Sequence, residues 1–282
     1  MYTSFHTATL HELPVVEAVD RILAAGYDAV ELNAEELPWA RAHVGPDTTA
    51  EVRAQLRTRA ISSIAAHRAD LASPNPAARA GAVAWTIALL DLAVDVGAPV
   101  VHVIPGDQPD VGTGLGAVSD PGDLPSFVTS LRELVAAAGA RGLTLALEPI
   151  VNQLVATTDQ TLAVLELVPG LRVSFDPSHL QVTTHDVADA ADRLGPYVAI
   201  AAIKDATGDP ADFKFLAQGA GDVDFPGMVT VLRRHGFDGA LVVEHEAHLF
   251  GDPRGPGAVV TESLPPAREL ARSQQVGSQQ VA

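Results

Sequence analysis

Eight short runs of apolar, β-prone residues recur along the chain, each followed by a stretch of helical character. This alternation limits the available folds more than any other feature. The runs are Tyr2–Thr7, Ala29–Asn33, Ile61–His67, Val100–Ile104, Thr144–Glu148, Arg172–Asp176, Val198–Lys204 and Ala240–Glu244. Between them, Leu13–Ala25, Ala77–Val96, Leu124–Ala140 and Leu162–Val168 repeat apolar residues at helical spacing. Gly or Pro marks many joints: Gly26, Gly97 with Pro99, Gly142, Gly170, Gly195 with Pro196, and Gly236. A helix that ends in Gly and passes at once into a β run is the αβ joint of a parallel sheet. Eight such units predict an α/β chain folded as a (β/α)8 TIM barrel, and 282 residues suit that fold, which typically uses about 250. The competing topology, an open doubly wound sheet, would lead us to expect G-x-G-x-x-G after the first run, and none is there. Residues 1–272 read as one domain, with a Gly/Pro loop over Gly251–Gly257, a final helix around Ser263–Arg272, and a polar tail over 273–282.

Composition narrows the partners. Eighteen Lys and Arg against 35 Asp and Glu give a net charge of −17, a poor match for nucleic acid or an anionic membrane surface. The two lysines, Lys204 and Lys214, fall in one short stretch. No apolar run approaches the ~20 residues that span a bilayer, and the N-terminal MYTSFHTATL lacks the pattern of a signal peptide. The absence of cysteine excludes disulfides, thiolate zinc sites and cysteine nucleophiles, and fits a reducing cytoplasm.

In a barrel of this kind the active site lies at the C-terminal ends of the strands. The predicted strand ends are His6, Asn33, His67, His102, Glu148, Asp176 with His179 just beyond, Lys204 with Asp205, and Glu244. Three carboxylates each close a nearly all-apolar run: Glu148 in LTLALEP, Asp176 in LRVSFDPSH and Glu244 in GALVVEHE. Isolated buried carboxylates are unfavourable, and three at one barrel mouth repel each other. A divalent cation resolves this, as does protonation of one or two of them. Oxygen donors favour Mg²⁺ or Mn²⁺, and an added imidazole shifts the choice towards Mn²⁺, Co²⁺ or Zn²⁺. The plainer alternative is that these carboxylates pair with arginines or cap the following helices.

The blocks LALEP (145–149), SFDPSHL (174–180), IKDA (203–206), the Gly-rich stretch 216–246 and LAVDVGAPVVHVIPGD (92–107) together resemble the xylose isomerase-like TIM barrels, the sugar phosphate isomerases/epimerases. The resemblance runs from Tyr2 to about Arg272. It implies a divalent metal held by Glu, Asp, His and Glu from four strand ends, with Glu148, Asp176 and Glu244 as ligands and His179 beside the substrate. Manganese is the first expectation, with Mg, Co, Zn and Fe as alternatives. The chemistry implied is proton transfer next to a carbonyl through an enediolate, with Glu148 and Glu244 as the acid/base pair. His179, Lys204, His6, His67 and His102 are expected to bind a carbohydrate or polyol, and the resemblance allows a homo-oligomer.

Two departures matter. The family pattern H-x-K-D at the seventh strand reads A-I-K-D here, so Ala202 stands where a His ligand is expected. Asn152 follows Glu148 without the second Glu usual in ketose 3-epimerases. These features keep open a dehydratase or lyase that uses the same enolisation on a keto-sugar, inosose or 3-oxo-glycoside. They also keep open a metal-free or inactive binding member of the family. An apurinic-site nuclease shares the fold but needs a basic face, which the charge opposes. His43 in the second loop is a candidate to close over substrate. The Gly219–Asp222 turn is a weak candidate for phosphate binding through its backbone N–H groups.

Overall fold

The computed structural model describes residues 1–106 and 122–273; most of the expected tail, from residue 274, lies outside the described residues. Eight parallel strands close on one another: β1 (Tyr2–His6), β2 (Ala29–Asn33), β3 (Ile61–Ala65), β4 (Val100–Val103), β5 (Thr144–Leu147), β6 (Arg172–Phe175), β7 (Val198–Ile203) and β10 (Ala240–Val243). Between β7 and β10 an antiparallel hairpin, β8 (Asp205–Asp209) and β9 (Asp212–Leu216), stands on the barrel rim. The main helices are α1 (Val15–Ala25), α2 (Ala50–Leu56), α3 (Pro76–Val96), α4 (Leu124–Ala140), α5 (Thr158–Leu167), α6 (Pro177–Thr184), α7 (Val187–Leu194), α8 (Phe225–Arg234), α9 (Pro256–Glu262) and α10 (Leu264–Arg272).

Strand alternation sorts the side chains into two layers. Phe5, Leu32, Ile64, Val103, Leu147, Phe175, Ile203 and Val243 face the helices and form the main core. The inward positions hold a small apolar cluster of Ile200, Ala240 and Val242, with Val100 against it. Above that cluster the same face carries Glu31, His102, Glu148, Asp176, Ala202, Lys204 and Glu244. The alternation therefore converts eight apolar runs into a polar lumen opening at the C-terminal end.

α3 corrects one expectation. By length and composition this 21-residue helix is apolar enough to cross a membrane. Here it packs on the barrel and buries Ala82, Val83, Leu89, Leu90, Leu92, Ala93 and Val96. Pro76 starts it, the Asn75 side chain caps its first turn, and Gly97, at φ 80°, ends it in the left-handed conformation. Gly195 belongs to a different class from Gly97. Its φ is −48°, and a Cβ there would lie 2.5 Å from the His235 ring, so close packing rather than chain reversal requires glycine.

Candidate active site

The barrel mouth encloses a cavity of about 290 Å³, at the lower edge of the range for small-molecule pockets, about 300–1,000 Å³. Its polar wall includes His6, Glu35, His67, Glu148, His179, Lys204, Glu244 and Glu246, and its apolar wall Leu37, Pro38, Ile104, Ile150 and Phe215. Seven of the eight site residues expected from sequence therefore reach the mouth or its immediate wall. Asp176, the most enclosed of these, lies just beneath with 0% exposure. His102 is the exception among the expected substrate contacts. Both its ring nitrogens are engaged, Nε2 with Glu31 at 3.1 Å and Nδ1 with Glu148 at 3.1 Å, so it braces Glu148 from below and does not line the cavity.

Glu148, at the end of β5, is held by two imidazoles, each with its own carboxylate behind it. His102 is backed by Glu31, which also accepts a 2.6 Å hydrogen bond from Ser63 Oγ. His67 Nε2 lies 3.6 Å from Glu148, and its Nδ1 pairs with Glu35. Burial opposes ionisation of Glu148, but the bonds from His102 and His67 outweigh it and hold the carboxyl well below its usual range. Burial likewise opposes the charge on Glu31, and His102 overcomes it, bringing Glu31 to about 2. His102 itself rises to about 9, because the charges of Glu31 and Glu148 outweigh burial.

Asp176 ends β6, and its two oxygens do different work. Oδ1 accepts from the Ser178 N–H at 2.8 Å and caps α6, while Oδ2 lies 2.9 Å from Lys204 Nζ. The capping alternative is thus met by one oxygen, leaving the other for the lumen. Lys204 also reaches Glu244 at 3.2 Å and Glu246 at 3.4 Å. Burial would lower its pKa, but Asp176, Glu244 and Glu246 hold it well above the ordinary value. Glu244 moves the other way from Glu148. Burial pushes it up, Lys204 pulls it down, and the charges of Glu246, Glu148 and Asp176 carry it well above the usual carboxyl range. One ammonium cannot neutralise so many neighbouring carboxylates.

His179 stands between the two halves of the site, with Nε2 3.7 Å from Glu148, 3.5 Å from Asp176 and 3.5 Å from Lys204. Burial and then the Lys204 charge bring it down to about 4, so its ring is neutral. Burial likewise brings His6 to about 4, and its Nε2 has no hydrogen-bond partner among the described residues. The hairpin β8–β9 lays Phe215 edge-on to His179, ring centroids 5.0 Å apart, and roofs this side of the cavity.

Donor atoms decide where a divalent cation fits. His67, His102 and Glu148 each offer a ligand atom, all within 4.8 Å of one another, and Glu148, Asp176 and His179 do the same. Mixed imidazole and carboxylate donors suit Zn²⁺, Mn²⁺ or Co²⁺. Glu244 joins neither group among the described residues, and Ala202 presents only a methyl group.

Three readings change. The Gly219–Asp222 turn is no anion site: Gly219 and Gly221 N–H donate to Asp205 Oδ2 at 2.8 and 3.0 Å, and Val223 N–H to Asp205 Oδ1 at 3.0 Å. His43 lies away from the mouth, its Nε2 3.1 Å from the Leu13 carbonyl. Asn33 braces the second loop, its side-chain N–H₂ donating to the Glu35 and Arg41 carbonyls. Glu31, Glu35, Glu246 and Phe215 were not anticipated. Glu31 had a legible signal, a charged residue in the middle of an otherwise buried strand.

A sequence profile of the xylose isomerase-like TIM barrel matches residues 19–272. No curated protein matches the chain in sequence. Among solved structures, a D-psicose 3-epimerase with D-tagatose from Clostridium cellulolyticum H10 is 18% identical with a TM-score of 0.75, over 97% of this chain and 100% of the other. An IOLI protein with a bound zinc atom is 16% identical with a TM-score of 0.77, over 96% and 98%. A xylose isomerase-like TIM barrel/4-hydroxyphenylpyruvate dioxygenase fusion protein is 20% identical with a TM-score of 0.68; the match covers 96% of this chain and 43% of that longer one. At such identities the likeness establishes the fold, while the profile, covering most of the chain, establishes descent: the protein belongs to the xylose isomerase-like TIM barrel family.

Proposed function

We propose that the protein is a sugar or polyol isomerase/epimerase that moves a proton at a carbon next to a carbonyl. One observation carries this reading. Glu148 and Glu244 reach a single small cavity from β5 and β10, strands three apart in the barrel, with Lys204 and His179 between them. A carbohydrate bound there exposes one face to each carboxylate. Glu148, held ionised by His67 and His102, takes the proton from carbon, and Glu244 returns one from the other side. The imidazole of His179 donates to the oxygen that gains charge as the enediolate forms, and the Lys204 ammonium beside it offsets that charge. His6, whose Nε2 has no partner among the described residues, holds a substrate hydroxyl, His67 fixes Glu148 at the cavity wall, and Phe215 with Leu37 and Pro38 excludes water. A divalent ion held either by His67, His102 and Glu148 or by Glu148, Asp176 and His179 would add Lewis-acid polarisation of the carbonyl.

The epimerase named among the structural relatives supports a ketose as the first substrate to try, and the IOLI protein's zinc supports testing metals. The experiment is a screen of ketoses, inososes and keto-glycosides in D₂O, followed by NMR and mass spectrometry. Deuterium at the carbon beside the carbonyl, with epimer or isomer formed, supports the proposal. Loss of water or of an aglycone would make the protein a lyase with the same acid/base pair. Absence of exchange on every substrate, with ligand binding intact, would make it a binding protein.

A further inference from the structure

Asp176, Glu244 and Glu246 share one cation, and that cation belongs to the chain. Lys204 Nζ lies 2.9 Å from Asp176 Oδ2, 3.2 Å from Glu244 Oε1 and 3.4 Å from Glu246 Oε2, and the lysine side chain is only 2% exposed. The ammonium is within ion-pair distance of all three carboxylates at once and donates a hydrogen bond to Glu246 Oε2. The remaining side is covered by the Phe215 ring, 4.6 Å from Nζ. Ala202, one inward step below Lys204 on β7, has no donor atom.

A divalent ion ligated by both Asp176 and Glu244 would need their oxygens at about 2.0–2.6 Å. It would have to sit in the space the ammonium fills, and two cations at that distance repel strongly. The donor groups that do converge, His67–His102–Glu148 and Glu148–Asp176–His179, leave Glu244 out.

We propose that Lys204 is a built-in cation that takes the place of a metal ion between Asp176 and Glu244, leaving Glu244 free of metal ligation. The inference deepens the acid/base reading of Glu244 above and rests on it for its catalytic meaning. Its consequence is a division of the mouth. Positive charge on the Glu244 side is fixed by sequence and cannot be removed by a chelator, and any divalent ion sits on the Glu148 side.

The test is a Mn²⁺ titration of chelator-treated protein by calorimetry, with thermal melting as a second readout. Glu244→Gln is expected to leave wild-type Mn²⁺ affinity within twofold. Lys204→Met is expected to raise it at least tenfold, and adding Ala202→His to raise it again. Mn²⁺ should raise the melting temperature of Lys204→Met more than that of the wild type, since a ligand of the native state stabilises it. If Lys204→Met fails to fold, Lys204→Gln serves in its place. Anomalous diffraction from Mn²⁺-soaked wild-type crystals gives an independent check. A tenfold loss of affinity in Glu244→Gln, unchanged affinity in the Lys204 variants, or a manganese peak bonded to Glu244 would overturn the proposal. Failure of the acid/base reading looks different: Glu244→Gln would then keep its turnover whatever the titration shows.

Discussion

Glu148 and Glu244 are both carboxylates at strand ends, yet their surroundings drive them to opposite states. Two hydrogen-bonding imidazoles hold Glu148 ionised, whereas Glu244 competes with Glu246 and Asp176 for one ammonium. Removing the proton-transfer group without changing shape should therefore stop the chemistry and spare the fold. Glu148→Gln and Glu244→Gln are each expected to lower the rate of deuterium incorporation by about 10²–10⁴-fold. Glu244→Gln should melt close to wild type, whereas Glu148→Gln, which leaves His67 and His102 without their shared carboxylate, should melt lower while still folding cooperatively. A variant that keeps its rate removes that residue from the mechanism.

The Glu31–His102 pair, fully buried below the cavity, sets a pH signature of stability. Glu31 has a pKa of about 2 when folded against 4.5 as its ordinary value, so its contribution is complete above pH 4.5 and is lost as the pH falls towards 2. His102 has a pKa of about 9 against 6.5, so its contribution is complete below pH 6.5 and is lost as the pH rises through 9. The destabilisation caused by Glu31→Gln should therefore be largest between pH 4.5 and 6.5 and shrink on both sides, with a maximum of about 3 kcal/mol. Denaturant melts of both proteins across this range check it, and a difference that is flat with pH would show that the pair does not titrate as described.

At the scale of elements, the hairpin β8–β9 depends on one residue. Asp205 accepts from the N–H groups of Ala206, Gly219, Gly221 and Val223, so it ties the base of the hairpin to the Gly-rich turn that follows. A Cβ at Gly221 would lie 2.4 Å from Asp205 Oδ1, which accounts for glycine there. Hydrogen bonds to a charged group contribute about 1.5–3 kcal/mol each, and Asp205→Ala leaves these N–H groups without their acceptor. We expect faster hydrogen exchange over residues 205–224 and a raised KM, because Phe215 loses its fixed place over His179. Unchanged exchange in that segment would mean that the hairpin is held by β8–β9 pairing alone.

The eight barrel strands and most of their helices were readable in advance because each carries a local signal. β runs end at a polar residue, helices end in Gly, and the register follows from alternation. The hairpin was missed for a physical reason. Its strands are half-exposed, and Ala206 and Phe215 gain their burial by packing with Val151, in the loop after β5, and Val182 of α6, both distant in sequence. The missed Glu35 and Glu246 lie in rim loops, where a carboxylate is ordinary in sequence and becomes part of the site only when the loops fold over the mouth.

For the whole molecule, the net charge of −17 is a self-repulsion that salt should screen. The melting temperature is expected to rise by a few degrees between 20 and 300 mM sodium chloride, as calorimetry would register; a fall would mean that surface ion pairs such as Arg59–Asp20 and Arg141–Asp91 outweigh the net repulsion.

The sequence by itself determined the barrel, the end at which its chemistry lies, and the three carboxylates and single buried lysine that arrive there. These follow from periodicity and from residue type at strand ends, which are local properties. Tertiary structure alone decided how the charges are shared. It set His102 beneath Glu148 and turned one Asp176 oxygen to a helix cap and the other to Lys204. It also spent the Gly-turn amides on Asp205 and left one ammonium to be shared by Asp176, Glu244 and Glu246. Such pairings depend on distances between strands far apart in the chain, and a side chain's charge state is set by whichever groups closure of the barrel brings within a few ångströms.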